Sequence, residues 1–144
     1  MIFDTTYKNK EDIELMTDLV GKPFRLLQAV KMGGVGSKRM MIDTVSPNMQ
    51  QYLNKIADIN YANIELRSGG ILVHMNKGLQ NFSWAIPYYQ LVLYKTDGSS
   101  IHAQGRFVKF TRNKLFVENK KFFNKLLDIK VQYDIDFKSP TMSL

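Results

Sequence analysis

The chain has 144 residues, with 20 Lys+Arg against 13 Asp+Glu for a net charge of +7, and it is 44% apolar and 12% aromatic. That composition is globular and excludes a mostly disordered chain, and the length suits one domain with an ordinary core but not two full-sized ones. No stretch reaches the roughly 18 uncharged apolar residues of a membrane span, Met1-Ile2-Phe3-Asp4 opens no signal peptide, and the lack of cysteine excludes disulfides, thiolate nucleophiles and Cys-containing metal sites.

No repeat or Pro/Gly/Ser linker divides residues 1–144, which read as a single α+β domain. Residues 9–20 predict a helix: Asn9 caps it, Glu11, Asp12 and Glu14 load its first turn, and Gly21 closes it. Ile13, Met16, Leu19 and Val20 share one apolar face. Pro23 bars helical continuation, and Phe24 to Met32 reads as a strand. Gly33-Gly34-Val35-Gly36-Ser37-Lys38 then forms a flexible loop, and Arg39 to Val45 returns as the hairpin partner. Ser46-Pro47 starts a second helix, with Met49, Tyr52, Leu53, Ile56 and Ala57 as its apolar stripe. Residues 1–60 thus read as helix, β-hairpin and helix.

From Tyr61 the period becomes strand-like. Ile64 and Leu66 alternate with Glu65 and Arg67, Ser68-Gly69-Gly70 turns the chain, and Ile71 to Met75 returns. Leu79 to Ile86 follows, Pro87 marks a bulge, edge or bend, Tyr89 to Lys95 is a fourth strand, and Thr96-Asp97-Gly98-Ser99 holds an Asp-Gly hairpin signal. Ile101 to Phe110 is a fifth strand, with Gly105 as a bulge. The expected architecture over 61–110 is an antiparallel meander. An amphipathic helix covers it from about Val117 to Lys130, burying Phe122, Phe123, Leu126, Leu127 and Ile129, and residues 137–144 read as a frayed tail.

Gly69-Gly70-Ile71-Leu72-Val73, followed by Phe82-Ser83-Trp84-Ala85-Ile86-Pro87-Tyr88, resembles bacterial pleckstrin-homology-like domains over residues 61–130. The resemblance implies an antiparallel roll closed by a C-terminal helix and a role in binding. The whole chain is also similar to small bacterial proteins of no assigned activity that carry runs like FRLLQAVK, IDTVSP, NYANIELR and IPYY. Lipid binding does not follow from the resemblance. Phosphoinositide-binding members need clustered basic residues on the first two strands and their loop, where Arg67-Ser68-Gly69-Gly70 offers one. A membrane-surface partner is therefore not expected.

The residues offer little reactive chemistry. The glycine loop lacks the P-loop order, because Ser37 separates Gly36 from Lys38 and Lys31 stands where the first glycine belongs. His74 and His102 have no second histidine at metal-pair spacing. His74, in an apolar run, reads as a packing residue and His102 as one facing solvent. No Gly-x-Ser-x-Gly elbow occurs. The expectation is a non-enzymatic module without catalytic residues, metal or cofactor.

Charge is more informative. Residues 1–60 carry a net +1, residues 61–104 a net +1 and residues 105–144 a net +5. Arg106, Lys109, Arg112, Lys120, Lys121 and Lys125, with Lys38 and Arg39 near the glycine loop, are the candidate anion-binding residues. Trp84, Tyr88 and Tyr89, around the bend at Pro87, are candidate interface residues, since bends expose rings. The leading expectation is a cytoplasmic binding or scaffolding module acting through protein contacts, including self-association. The alternative is nucleic-acid binding through residues 106–125, and the third is an enzyme assembled only in the fold.

Overall fold

Among the described residues, eight antiparallel strands form the framework, in the order β1-β5-β4-β3-β2-β8-β7-β6. They are β1 (Ile2–Asp4), β2 (Met40–Val45), β3 (Tyr61–Leu66), β4 (Gly70–Lys77), β5 (Gln80–Pro87), β6 (Val92–Tyr94), β7 (Ser100–Ala103) and β8 (Arg106–Phe110). This computed structural model describes residues 1–55, 59–94 and 100–142, with side chains through residue 137. The expected Asp97-Gly98 turn and the stripe positions Ile56 and Ala57 lie outside the described residues.

The meander over β3, β4 and β5 is as expected. Ala62, Ile64 and Leu66 are buried while Tyr61, Asn63 and Glu65 are half exposed, the period-2 signature of a strand with one dry face. The dry face meets the main core, which includes Met40, Ile71, Val73, Trp84, Ile86 and Leu91. Helix α1 (Lys10–Val20) begins at Asn9, whose side chain accepts from the Glu11 and Asp12 amides. It lies on the opposite face, where Met16 and Val20 join Phe3, Leu72 and Ala85 in a second apolar cluster. Residues 71–73 are therefore buried continuously, as in a strand covered on both sides. Gly70 permits this closeness: a Cβ there would lie 2.3 Å from the Ile86 carbonyl oxygen and 2.8 Å from Val20.

β2 bends to serve both halves of the sheet. Met40 and Met41 pair with β3, whereas Ile42 onward pairs with β8, with a register shift between Ile42 and Thr44. The expected hairpin of 24–32 with 39–45 does not form. Residues 26–31 are instead a two-turn helix, α2 (Leu26–Lys31). Its end explains the glycines: the Gly33 amide donates to Val30 and the Gly34 amide to Ala29, a Schellman closure with φ of 77° and 97°. The loop after it is tied to the sheet. Gly36 bridges Glu65, and the Ser37 and Leu66 amides donate to Ile64 and Val35, extending the edge of β3.

Three further expectations are corrected. Ser46 does not cap an α-helix. Its hydroxyl contacts Asn48 and accepts from the Phe107 amide, and residues Pro47–Tyr52 form a 3-10 helix. Gly105 is no bulge, because Gln104 and Gly105, with φ of 55° and 72°, close a two-residue turn that splits the fifth strand into β7 and β8. The C-terminal helix is broken and longer. α3 (Lys114–Glu118) stops at Asn119, whose buried side chain holds the Leu115 carbonyl and the Lys38 amide, and α4 (Lys120–Met142) follows. Phe122, Phe123 and Leu126 are buried as expected, with Ile129 half-buried. The helix continues into the expected tail as far as Met142, residues 143–144 lying outside the described residues, and Lys130–Asp134 and Gln132–Asp136 contacts and Tyr133 stacked on Phe137 at 4.3 Å support it up to that tail.

Candidate interaction surfaces

Where α1 ends, the outer face of the β1–β5–β4–β3 half turns polar, and the ladder register lines up its side chains. His74 stands opposite Ser83 on β5 and Asn63 on β3. His74 Nδ1 lies 2.7 Å from Ser83 Oγ and Nε2 lies 3.1 Å from Glu65 Oε1. Thr5 Oγ1 reaches Ser83 Oγ at 3.1 Å, and Arg67 Nε donates to the other Glu65 oxygen while its Nη1 donates to the Gly21 carbonyl at 2.9 Å. Partial burial would raise the Glu65 pKa, but the hydrogen bonds from His74 and Arg67 outweigh it and hold the carboxyl below its usual value. The ionised carboxylate only accepts, so Nε2 donates to it, and in the neutral ring Nδ1 then accepts a hydrogen bond from the Ser83 hydroxyl.

Serine, imidazole and carboxylate in a row match a nucleophilic triad in composition. Ser83 is 1% exposed, and its backbone lies in the ladder between β4 and β1. The row ties four strands and the end of α1 together. Beside it opens a shallow depression of about 510 Å³, lined by Arg39, Tyr61, Asn63, His74, Asn76 and Asn81, with the Arg39 guanidinium 4.3 Å above the Tyr61 ring.

His102 lies on β7, four strands from His74 in the sheet order, so the two histidines form no common site. Its Nε2 is 2.8 Å from Ser100 Oγ, and its ring packs between Tyr94 at 4.6 Å and Phe107 at 5.3 Å. Burial lowers its pKa. Among the described residues, no group of three His, Asp or Glu side chains could hold a metal ion.

The three rings around Pro87 part ways. Trp84 is fully buried and donates from Nε1 to Gln104 at 3.1 Å. Tyr88 is also buried. Its hydroxyl donates to the Arg67 carbonyl, its ring meets Tyr133, and burial pushes its pKa far up. Both are core residues rather than docking rings, because the inward phase of β5 continues through Trp84, Ile86 and Tyr88. Tyr89, out of that phase, is 67% exposed.

The basic candidates do not converge either. Arg106 and Lys109 point to opposite faces of β8, and Arg106 donates to the Asn48 carbonyl near Tyr52. Lys125 donates to Gly34 at 2.8 Å, which places it beside the end of α2. The Lys38 amide is held by Asn119, and Arg39 lies over Tyr61. Arg112, Lys120 and Lys121 are exposed at the approach to and start of α4.

Two exposed apolar surfaces carried no sequence signal that composition alone reveals. One follows the edge strand β6, where Val92 and Tyr94 are 47% and 48% exposed. The other is α2, which buries none of its residues and exposes Leu26, Leu27 and Val30. Among the described residues, no helix is long and apolar enough to cross a membrane. No protein-family model, curated protein or solved structure matches the chain.

Proposed function

We propose that the chain is a non-enzymatic binding module acting through protein contacts, similar to a pleckstrin-homology-like domain. The observation that carries this reading is the open sheet edge at β6, with Tyr89 beside it and Val92 and Tyr94 on its outer side. An open edge offers backbone N–H and C=O groups to an extended segment of another chain, and its alternate side chains supply selectivity. Strand order supports the likeness: from β2 onward, four strands and then three precede α4, with β1 added at the far edge. The buried Ser83 in the His74–Glu65 row supports a structural role for the one triad-like grouping. Scatter of the basic residues favours protein over nucleic acid.

The test is selection from a displayed library of random peptides, followed by hydrogen exchange on the complex. Selected extended peptides should protect the Leu93 amide, which points away from β7 because Val92 and Tyr94 form the hydrogen-bonded pairs with His102 and Ser100, and Val92→Lys with Tyr94→Lys should abolish binding while leaving the melting temperature within a few degrees. Selected peptides that protect other strands would overturn the edge as the site. Binding of labelled DNA or RNA that survives physiological salt would replace the proposal with the nucleic-acid reading.

A further inference from the structure

The near-neutral charge of residues 1–60 hides a division. Residues 1–20 hold five acidic and two basic residues, a net −3, whereas residues 21–42 hold Lys22, Arg25, Lys31, Lys38 and Arg39 and no acid, a net +5. The first set centres on α1. Its buried side is Met16 and Val20, with Ile13 beside them, which leaves Glu11, Glu14, Leu15 and Asp18 along the outward stripe. In the second set, Arg25 stands at the start of α2 and Lys31 in its last turn, with Lys22 shortly before, and Leu26, Leu27 and Val30 between them are 79%, 78% and 69% exposed. Lys125, on the Gly34 carbonyl, adds a cation beside this helix.

α2 is built as a fixed platform. Six residues are too few to hold a helix alone, yet the Schellman closure fixes its end, and Phe24 and Met32 anchor it to the core on either side. What it presents is three adjacent large aliphatic side chains ringed by cations. Such a patch marks an interaction site. α1 presents the complement, carboxylates around the exposed Leu15, at a separate place on the same chain.

We propose that α2 of one chain docks on the outward face of α1 of a second copy. Leu26, Leu27 and Val30 pack around Leu15, and Lys22, Arg25 and Lys31 face Glu11, Glu14 and Asp18. A two-fold pairing makes the contact twice, because each chain carries both halves. This interface is separate from the β6 edge, so either proposal can fail alone.

The experiment is sedimentation of the full chain over a concentration series at low and high salt. The wild type should associate, and high salt should weaken it. Arg25→Glu with Lys31→Glu should shift the mass to that of a single chain, as should Glu14→Lys with Asp18→Lys, each weakening association by about tenfold or more. All four positions are exposed on the helices or at the α2 cap, and circular dichroism checks that each variant is folded. Mixing the two variants should restore a complex, since every α1–α2 contact in the mixed pair is again between opposite charges. A wild type that stays monomeric, association indifferent to both variants, or a mixture that does not recover would each overturn the proposal. So would a monomer whose α2 binds vesicles containing anionic lipid, which would assign the patch to a membrane surface.

Discussion

α1 and α2 are short helices from the same quarter of the chain, held by opposite means. α1 is anchored through its side: Met16 and Val20 are buried against the sheet, Asn9 caps its start, and Gly69 and Arg67 bind its last carbonyls. α2 has no capping side chain and no buried residue, and is fixed by its two ends alone. A helix secured through its face is part of the core. One secured only at its ends leaves its whole face available, and here that face is aliphatic.

That contrast can be broken most severely where α1 meets the β4 turn. Gly70→Ala forces a Cβ against the Ile86 carbonyl and Val20, so unfolding titrations should show a loss of about 3 kcal/mol. Next comes truncation on each helix. Val20→Ala should lower stability by about 2 kcal/mol, whereas Leu27→Ala on α2 should stay within about 0.5 kcal/mol. Equal losses would mean that α2 is part of the core after all. Removing the α1 cap with Asn9→Ala should lower stability by about 1 kcal/mol by the same measurement.

The smallest effect is acid-dependent. The Glu65 carboxyl is depressed in the fold, so its contribution is fully present above the unfolded value and is lost as pH falls through the folded one. Because Arg67 links Glu65 to the Gly21 carbonyl, acid should speed amide exchange in the last turn of α1 before that of α2. Glu65→Gln should flatten the acid limb of the stability curve, and an unchanged limb would remove Glu65 as its source.

The parts of the fold legible from residues alone were those written in local pattern. Asn9, the acidic first turn and the Met16/Val20 spacing identify α1, and alternation from Tyr61 identifies β3 to β5. α2 was not legible from its apolar run, since Phe24 to Met32 suits either strand or helix. The better signal was Gly33-Gly34, a helix stop that only makes sense with a helix before it. β1 was hidden because its pairing with β5 joins residues some eighty positions apart. For the site, period 2 carried past Ile86 places Tyr88 inside and Tyr89 outside. The short Ser68-Gly69 turn sets the Leu66–Ile71 register and so brings His74 opposite Asn63. The charge division between α1 and α2 vanished when summed over sixty residues.

The shared strand β2 also bears on how the chain reaches this state. Each meander on either side of it is assembled from strands close in sequence, whereas the β2–β8 ladder must bring Ile42 to Phe110. Closing that long span carries the larger entropic penalty and is the slower step. The expected folding order therefore has β3, β4 and β5 formed first, with the long-range β1–β5 and β2–β8 ladders last, the bend in β2 sealing one half of the sheet to the other.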